Sequence, residues 1–227
     1  MWWQQLWEQI YTCLIDKDRW KLILEGMGNT IIIALGAVLI GTVIGAAMAL
    51  MRISKSRLLR GLSLVYITVI RGVPVVTQLL IFSFVVFAPL GWNKLHIAIV
   101  AFGINSGAYC AEIFRAGIQG VSAGQMEAGR SLGLSKAQTM VSIIIPQAFR
   151  AVLPTYTNEF VVLVKETSVA GYIAIRDLTK VGDAIRNATY NAWIPLFAVA
   201  IIYLIMTLGL SRLFAVLERR LARSDRG

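Results

Sequence analysis

The sequence predicts an all-α integral membrane protein with five membrane-spanning helices and a helix–turn–helix in a cytoplasmic loop. Three observations predict it. Hydrophobic residues make up 57% of the chain and charged residues 15%, against about 45–50% and about 25% in soluble domains. Four stretches reach the roughly 20 predominantly apolar residues that cross about 30 Å of hydrocarbon. Basic residues collect between and after these stretches, which is how cytoplasmic loops are marked. The composition never divides into a polar and an apolar half, so residues 1–227 read as a single transmembrane domain.

The elements follow in order. Trp2, Trp3, Trp7 and Tyr11 suggest a segment lying at the membrane surface, where aromatic rings are favoured. The first basic residue is Lys17, so no charged region precedes an apolar core and a cleaved signal peptide is not expected. The first span covers 28–51 without a charge. Its Gly41 and Gly45 form a G-x-x-x-G step that lets another helix approach, although small residues are common in membrane helices anyway. The second span covers 62–90 and carries Arg71, Pro74 and Gln78. The third covers 95–118 and carries Asn105, Tyr109 and Glu112. The last covers 193–216.

Between Arg150 and Lys165 lies a weaker apolar stretch of 14 residues, with Pro154, Asn158 and Glu159 inside it. Hydropathy does not mark it as a span; parity does. Arg52, Lys55, Arg57 and Arg60 place the first loop inside, and so the amino terminus outside. Arg212, Arg219, Arg220, Arg223 and Arg226 want the carboxyl end inside as well. The segment after the third span is then also inside, and an even number of crossings must separate it from the tail. A fourth span at 148–165 supplies the missing one. The difficulty is 165–192, which falls outside despite Lys165, Arg176, Lys180 and Arg186; its acids do not offset them under this rule.

The net charge of +10 is explained by this topology, and no basic–aromatic stripe suggests nucleic acid. Cys13, Cys110 and the lone His96 give no metal-ligand spacing, so no metal site is expected. No G-x-x-x-x-G-K-[ST] phosphate loop is present.

Residues 122–146 are the most informative stretch. Ser122/Gln125 and Ser135/Gln138 each have capping-box spacing. Gly133 stands where a helix needs a left-handed terminating residue, and Pro146 marks a helix boundary or kink. Two short helices are predicted, 123–132 and 136–145, around a turn at Gly133-Leu134. Such a knob is either a docking surface or a loop folded back on its own bundle.

Glu127-Ala128-Gly129, Gly133, and then Ile143, Ile145 and Pro146 resemble the EAA motif of binding-protein-dependent ABC importers, E-A-A, three residues, G, nine residues, I-x-L-P. Gly129 replaces the second Ala and Ile145 the Leu. Arg71-Gly72-Val73-Pro74 resembles the R-G-T-P of polar amino acid permeases. Asn105-Ser106-Gly107-Ala108-Tyr109 with Ala111-Glu112-Ile113-Phe114-Arg115 is similar to a run in the histidine/glutamine permease group. Lys165-Glu166-Thr167-Ser168, Ala188-Thr189-Tyr190 and Leu217-Glu218-Arg219-Arg220 fit the same group.

The resemblance implies a type I importer permease in a bacterial inner membrane, with five spans, the amino terminus outside and the carboxyl terminus cytoplasmic. It implies a second permease subunit, identical or closely related, a cytoplasmic ATP-binding subunit that holds ATP and Mg, an extracytoplasmic binding protein and a polar amino acid substrate. The chain itself is expected to hold no cofactor and to catalyse nothing. Glu127, Ala128, Gly129, Gly133 and Pro146 are then the ATPase-coupling residues.

An ionisable group within a span is expensive and marks a functional candidate. Glu159, beside Asn158, could face a substrate amine, or could be a structural partner of Arg71 or Lys165. Gln78, Asn105 and Tyr109 are candidates for neutral hydrogen bonds on the same path. The alternative to the importer is an ion-coupled secondary transporter or channel for small polar solutes. It accounts for the intramembrane charges but not for the capped loop, and no internal repeat supports it.

Overall fold

The computed structural model describes residues 2–223, with the side chains of 221–223 excepted. Arg226 lies outside the described residues, as does the side chain of Arg223. Among the described residues every regular element is a helix.

Helix α1 (Trp2–Ile10) exposes Trp2, Trp3 and Trp7. A π-helical turn at Tyr11–Ile15 and a kink at Asp16–Asp18 follow, with Lys17 and Asp18 both left-handed at φ 54° and 57°. The Arg19 guanidinium braces the kink by donating to the Thr12 carbonyl and to the Asp16 carboxylate. Helix α2 (Arg19–Ile53) then runs for 35 residues, about 52 Å at 1.5 Å each. It lies along α5 (Lys94–Gly120), the most extensive helix pair of the molecule.

The Gly41/Gly45 step makes this approach possible. A Cβ on Gly45 would stand 2.5 Å from the Cys110 Cβ, and one on Gly41 3.0 Å from that of Ser106. The small residues thus serve packing within the chain. Ile33, Leu79, Phe102, Leu163 and Ile173 close the largest apolar core.

The second predicted span is not continuous. Helix α3 (Arg57–Gly72), capped by the Ser56 hydroxyl, stops before Pro74. Helix α4 (Val75–Ile81) starts after it and runs into a π-helical turn at Phe82–Val86, and the two halves are bent by 106°. The cause is local: Pro74 has no N–H to donate, and its ring forces Val73 into extended backbone, φ −108° and ψ 134°. Gln78 makes the break tolerable. Its amide donates to the Ile70 and Val73 carbonyls at 2.6 and 2.7 Å, satisfying groups the bend has freed.

Helices α6 (Ala123–Ser131) and α7 (Lys136–Thr139) form the hairpin after α5. A π-helical turn, Met140–Ile144, leads directly into α8 (Ile145–Glu166). Pro146 therefore ends nothing. It sits in the first turn of α8, where a missing N–H costs no helical bond. The helix predicted at 136–145 is one α-turn and one π-turn of a longer rod.

After α8 a 3₁₀ stretch, Thr167–Ile173, and α9 (Leu178–Thr189) turn back toward the start of α2. Asp177 fixes this connection. It is fully buried, and its carboxylate accepts from the Thr179 and Lys180 backbone N–H groups. Burial raises that carboxyl above its usual range, and the N–H bonds work against the rise. The Thr30 hydroxyl of α2 accepts from the Leu178 N–H at 3.2 Å. Helix α10 (Trp193–Arg223) closes the bundle against α8 and α9.

By length and composition, Trp2–Ile53, Lys94–Gly120 and Trp193–Arg220 can cross a membrane, and the bent α3–α4 pair qualifies as a fourth. Helix α8 is not among them. Its 22 residues reach about 33 Å, but Asn158, Glu159, Lys165 and Glu166 dilute its apolarity.

Candidate functional site: a helical hairpin joined to an intramembrane polar seam

The hairpin is a closed unit. Helix α6 ends in a Schellman motif: Gly133 N–H donates to the Arg130 carbonyl and Leu134 N–H to the Gly129 carbonyl, both at 3.1 Å. Gly133 has φ +85°, where a side chain is strained even though nothing lies within 4 Å of its Cβ position. The Arg130 guanidinium donates to the Leu134 carbonyl at 2.8 Å and braces the turn.

The capping box at Ser135/Gln138 is complete in both directions, at 3.2 and 2.8 Å. The one expected at Ser122/Gln125 does not form: Ser122 makes no side-chain cap bond. The Gln125 side chain instead accepts from the Gln147 amide of α8 at 3.3 Å, tying the base of the hairpin to the rod.

Gly129 faces inward. A Cβ there would come within 2.5 Å of Thr139 Cγ2, so the two arms can touch only across a glycine. Glu127 and Ala128 face outward and are exposed. Among the described residues Glu127 has no ion-pair or hydrogen-bond partner. Leu132 at the tip is 81% exposed, and Val141 is exposed on the second arm. The coupling candidates thus divide by place: Glu127 and Ala128 on the surface, Gly129 and Gly133 in the construction of the hairpin, Pro146 at the entry to α8. A cleft of about 480 Å³ opens beside the base, lined by Gly117, Gly120, Gln147 and Thr155 among others.

The second set lies along α5 and α8. The half-buried Glu159 carboxylate accepts from the Ser106 hydroxyl at 3.3 Å. Neither Arg71 nor Lys165 forms an ion pair with it among the described residues. Arg71, at the end of α3, lies over the Tyr109 ring, 5.1 Å from its centroid. Glu112 and Arg115 neutralise each other on one face of α5 through two bonds, at 3.1 and 2.7 Å. A Thr42–Tyr156 hydroxyl contact of 2.5 Å links α2 to α8 nearby.

Asn105 donates to Gln78 Oε1 at 3.3 Å, so these two form a buried pair behind the α3–α4 break. Gln78 commits its amide to that break. Asn158 is exposed on another face from Glu159 and lines a separate cavity of about 170 Å³ with Ser211 and Glu218 of α10. Glu159 and Tyr109 remain on the α5–α8 side. Ser106 and Arg71, which the sequence does not mark as path residues, complete that seam. Among the described residues no group of three His, Cys, Asp or Glu side chains could hold a metal ion.

The comparisons agree on one family. Residues 41–223 match the family described as binding-protein-dependent transport system inner membrane component. The chain is 38% identical over 206 residues to the glutamine transport system permease protein GlnP of Escherichia coli, covering 88% of this chain and 93% of that one. It is 35% identical over 205 residues to the arginine transport system permease protein ArtQ of Bacillus subtilis, covering 89% and 94%. Among solved structures it superposes on an amino acid ABC transporter crystallised with histidines, with TM-score 0.81 and 40% identity, covering 88% and 94%. It also superposes on the inward-facing MetNI methionine ABC transporter, with TM-score 0.80 over 91% and 99%; at 18% identity that match speaks for the fold alone. The chain therefore belongs to the binding-protein-dependent transport inner membrane component family, and it is a permease of the amino acid ABC importer group.

Proposed function

We propose that this permease pairs with a second permease subunit and carries a polar amino acid inward, driven by a separate ATPase that grips the α6–α7 hairpin. One observation supports the coupling role above all. The hairpin is rigidly capped, shows an unpaired Glu127 and an exposed Leu132 at its surface, and continues without a loop into α8, the helix that carries Glu159. A loop that folded back on its own bundle would bury Leu132. Instead the exposed face offers one carboxylate and apolar contacts, which suit a protein partner with a basic residue in its groove.

In this reading α8 crosses the membrane as the fourth span. The amino terminus is outside and the hairpin and carboxyl end are in the cytosol of a bacterial cell. An external binding protein delivers the substrate. ATP and Mg are held by the ATPase, and the permease needs no cofactor of its own. The substrate passes along the Glu159–Ser106–Tyr109 seam, where the carboxylate meets its amino group or a cationic side chain.

The test is Glu127→Lys in a membrane preparation containing the ATPase. Normal insertion is expected, with loss of ATPase co-purification and of ATP-dependent amino acid uptake. Undiminished uptake by this variant would refute the coupling role.

A further inference from the structure

The Leu217-Glu218-Arg219-Arg220 run has no part in the site described above, yet Glu218 makes a specific contact. The Thr157 hydroxyl of α8 donates to Glu218 Oε1 of α10 at 2.6 Å. The same hydroxyl lies 3.0 Å from the Pro154 carbonyl, one turn back on its own helix. A hydroxyl has one proton to donate, so it serves one acceptor fully at a time. The shorter contact, to a carboxylate, is the stronger one. Thr157 is 8% exposed, so water does not compete freely at this position.

Two further features surround the pair. One turn beyond Thr157, Phe160 meets Phe214 edge to face, with centroids 5.6 Å apart, within a small apolar cluster that includes Val164 and Leu210. On the other side lies the cavity of about 170 Å³ lined by Pro154, Asn158, Ser211 and Glu218. The α8–α10 contact thus has a packed pivot and, nearer the hairpin, a polar bond with space beside it. Asn158 and Ser211 stand in that space as other partners for the carboxylate.

We infer that Thr157–Glu218 is a latch that holds α8 against α10 in the conformation seen here and opens when the hairpin moves. Opening orphans neither group: Thr157 turns its proton to the Pro154 carbonyl, and Glu218 finds Asn158, Ser211 or water in the cavity. Glu218 and Thr157 are positioning residues, acting through α8. The inference rests on the proposed coupling of the hairpin to an ATPase.

The test is ATP hydrolysis by the purified permease–ATPase complex, with no amino acid or binding protein added, normalised to assembled complex. Thr157→Val and Glu218→Leu each open the latch, and basal hydrolysis rises about fivefold, the shift that one net hydrogen bond gives a two-state equilibrium. Thr157→Ser and Glu218→Gln keep a donor and an acceptor and stay near wild type. The Val/Leu double variant is no more active than either single, because both remove one bond. Spin labels at Ala151→Cys and Leu213→Cys, both exposed, report a longer α8–α10 distance in the two opened variants. Lower thermal stability with unchanged basal hydrolysis and distance would mean a structural bond only, and overturns the latch. A wild-type complex that fails to assemble or to hydrolyse ATP overturns the proposed coupling of the hairpin to an ATPase, and the latch with it.

Discussion

At the residue scale, the two hairpin glycines do different work and predict different failures. Gly133 has room for a side chain but left-handed backbone, so Gly133→Val costs about 1–2 kcal/mol of strain in the turn. Gly129 has ordinary helical backbone but no room against Thr139, so Gly129→Val pushes the two arms apart, about 1–3 kcal/mol of overpacking. Both variants are expected to weaken ATPase association by roughly fivefold or more, since 1.4 kcal/mol is tenfold. Thr139→Ala should rescue Gly129→Val only, by clearing the clashing methyl, and an association assay on the four variants checks this. Gln78 is predicted to matter for stability before transport: Gln78→Leu leaves the Ile70 and Val73 carbonyls unpaired, each worth about 0.6–2 kcal/mol inside a membrane. A melting temperature for the detergent-solubilised variant equal to wild type would contradict that role.

Glu159 is an intramembrane candidate whose neighbours the structure supplies. The sequence marks it as an ionisable group in a stretch too polar to be called a span, and the structure supplies Ser106 rather than a cation as its neighbour. Ser106 was legible only as part of a family-like run, because a serine in a membrane helix gives no signal of its own. Asn158 shows the limit of adjacency. Consecutive helical residues point about 100° apart, so the neighbour of Glu159 in sequence lies in a different cavity. We predict that Glu159→Gln lowers uptake or changes substrate preference, while Asn158→Ala changes neither. Competition uptake assays with cationic and neutral amino acids separate the two.

At the element scale, the hairpin was the most legible part, since its turn and second cap are local chemistry at Gly133, Ser135 and Gln138. The failed cap at Ser122 is equally physical. Ser122 is exposed, and Gln125, needed to complete the box, is taken by Gln147, which no local pattern reveals. The break at Val73-Pro74 was signalled by the proline but overridden by the apolar run on both sides. Only the partner that satisfies the break, Gln78, makes a bend of 106° tolerable there. The π-helical turn at Met140–Ile144 has no sequence signature and makes the hairpin and α8 one rod. Such a turn holds one residue more than an α-helix needs. One alanine inserted into the regular α-helix beyond that turn, after Gln147, has no such slack to absorb it and should therefore rotate the hairpin about 100° on α8. ATPase binding is expected to survive and uptake to be lost; unchanged uptake would show that the register of the rod is unimportant.

At the scale of the whole molecule, the class of protein was legible because composition, four long apolar stretches and the placement of basic residues agree, and the family because the EAA-like spacing covers so many positions. The bundle's packing was less so. The Gly41/Gly45 step could not name its partner, and the structure assigns it to α5. The connection at 167–189, with its basic residues, fitted the charge rule poorly. The structure shows it held by buried Asp177 and by contacts with α2 and α10.

The central claim is that the α6–α7 hairpin stands in the cytosol and is covered by a separate ATPase. Ala128→Cys, on its exposed face, labelled with a membrane-impermeant maleimide in sealed vesicles, tests it most directly. Labelling only in inside-out vesicles, and protection when the ATPase subunit is added, is the predicted result. Labelling from the outer face, or equal labelling with and without the ATPase, would contradict it.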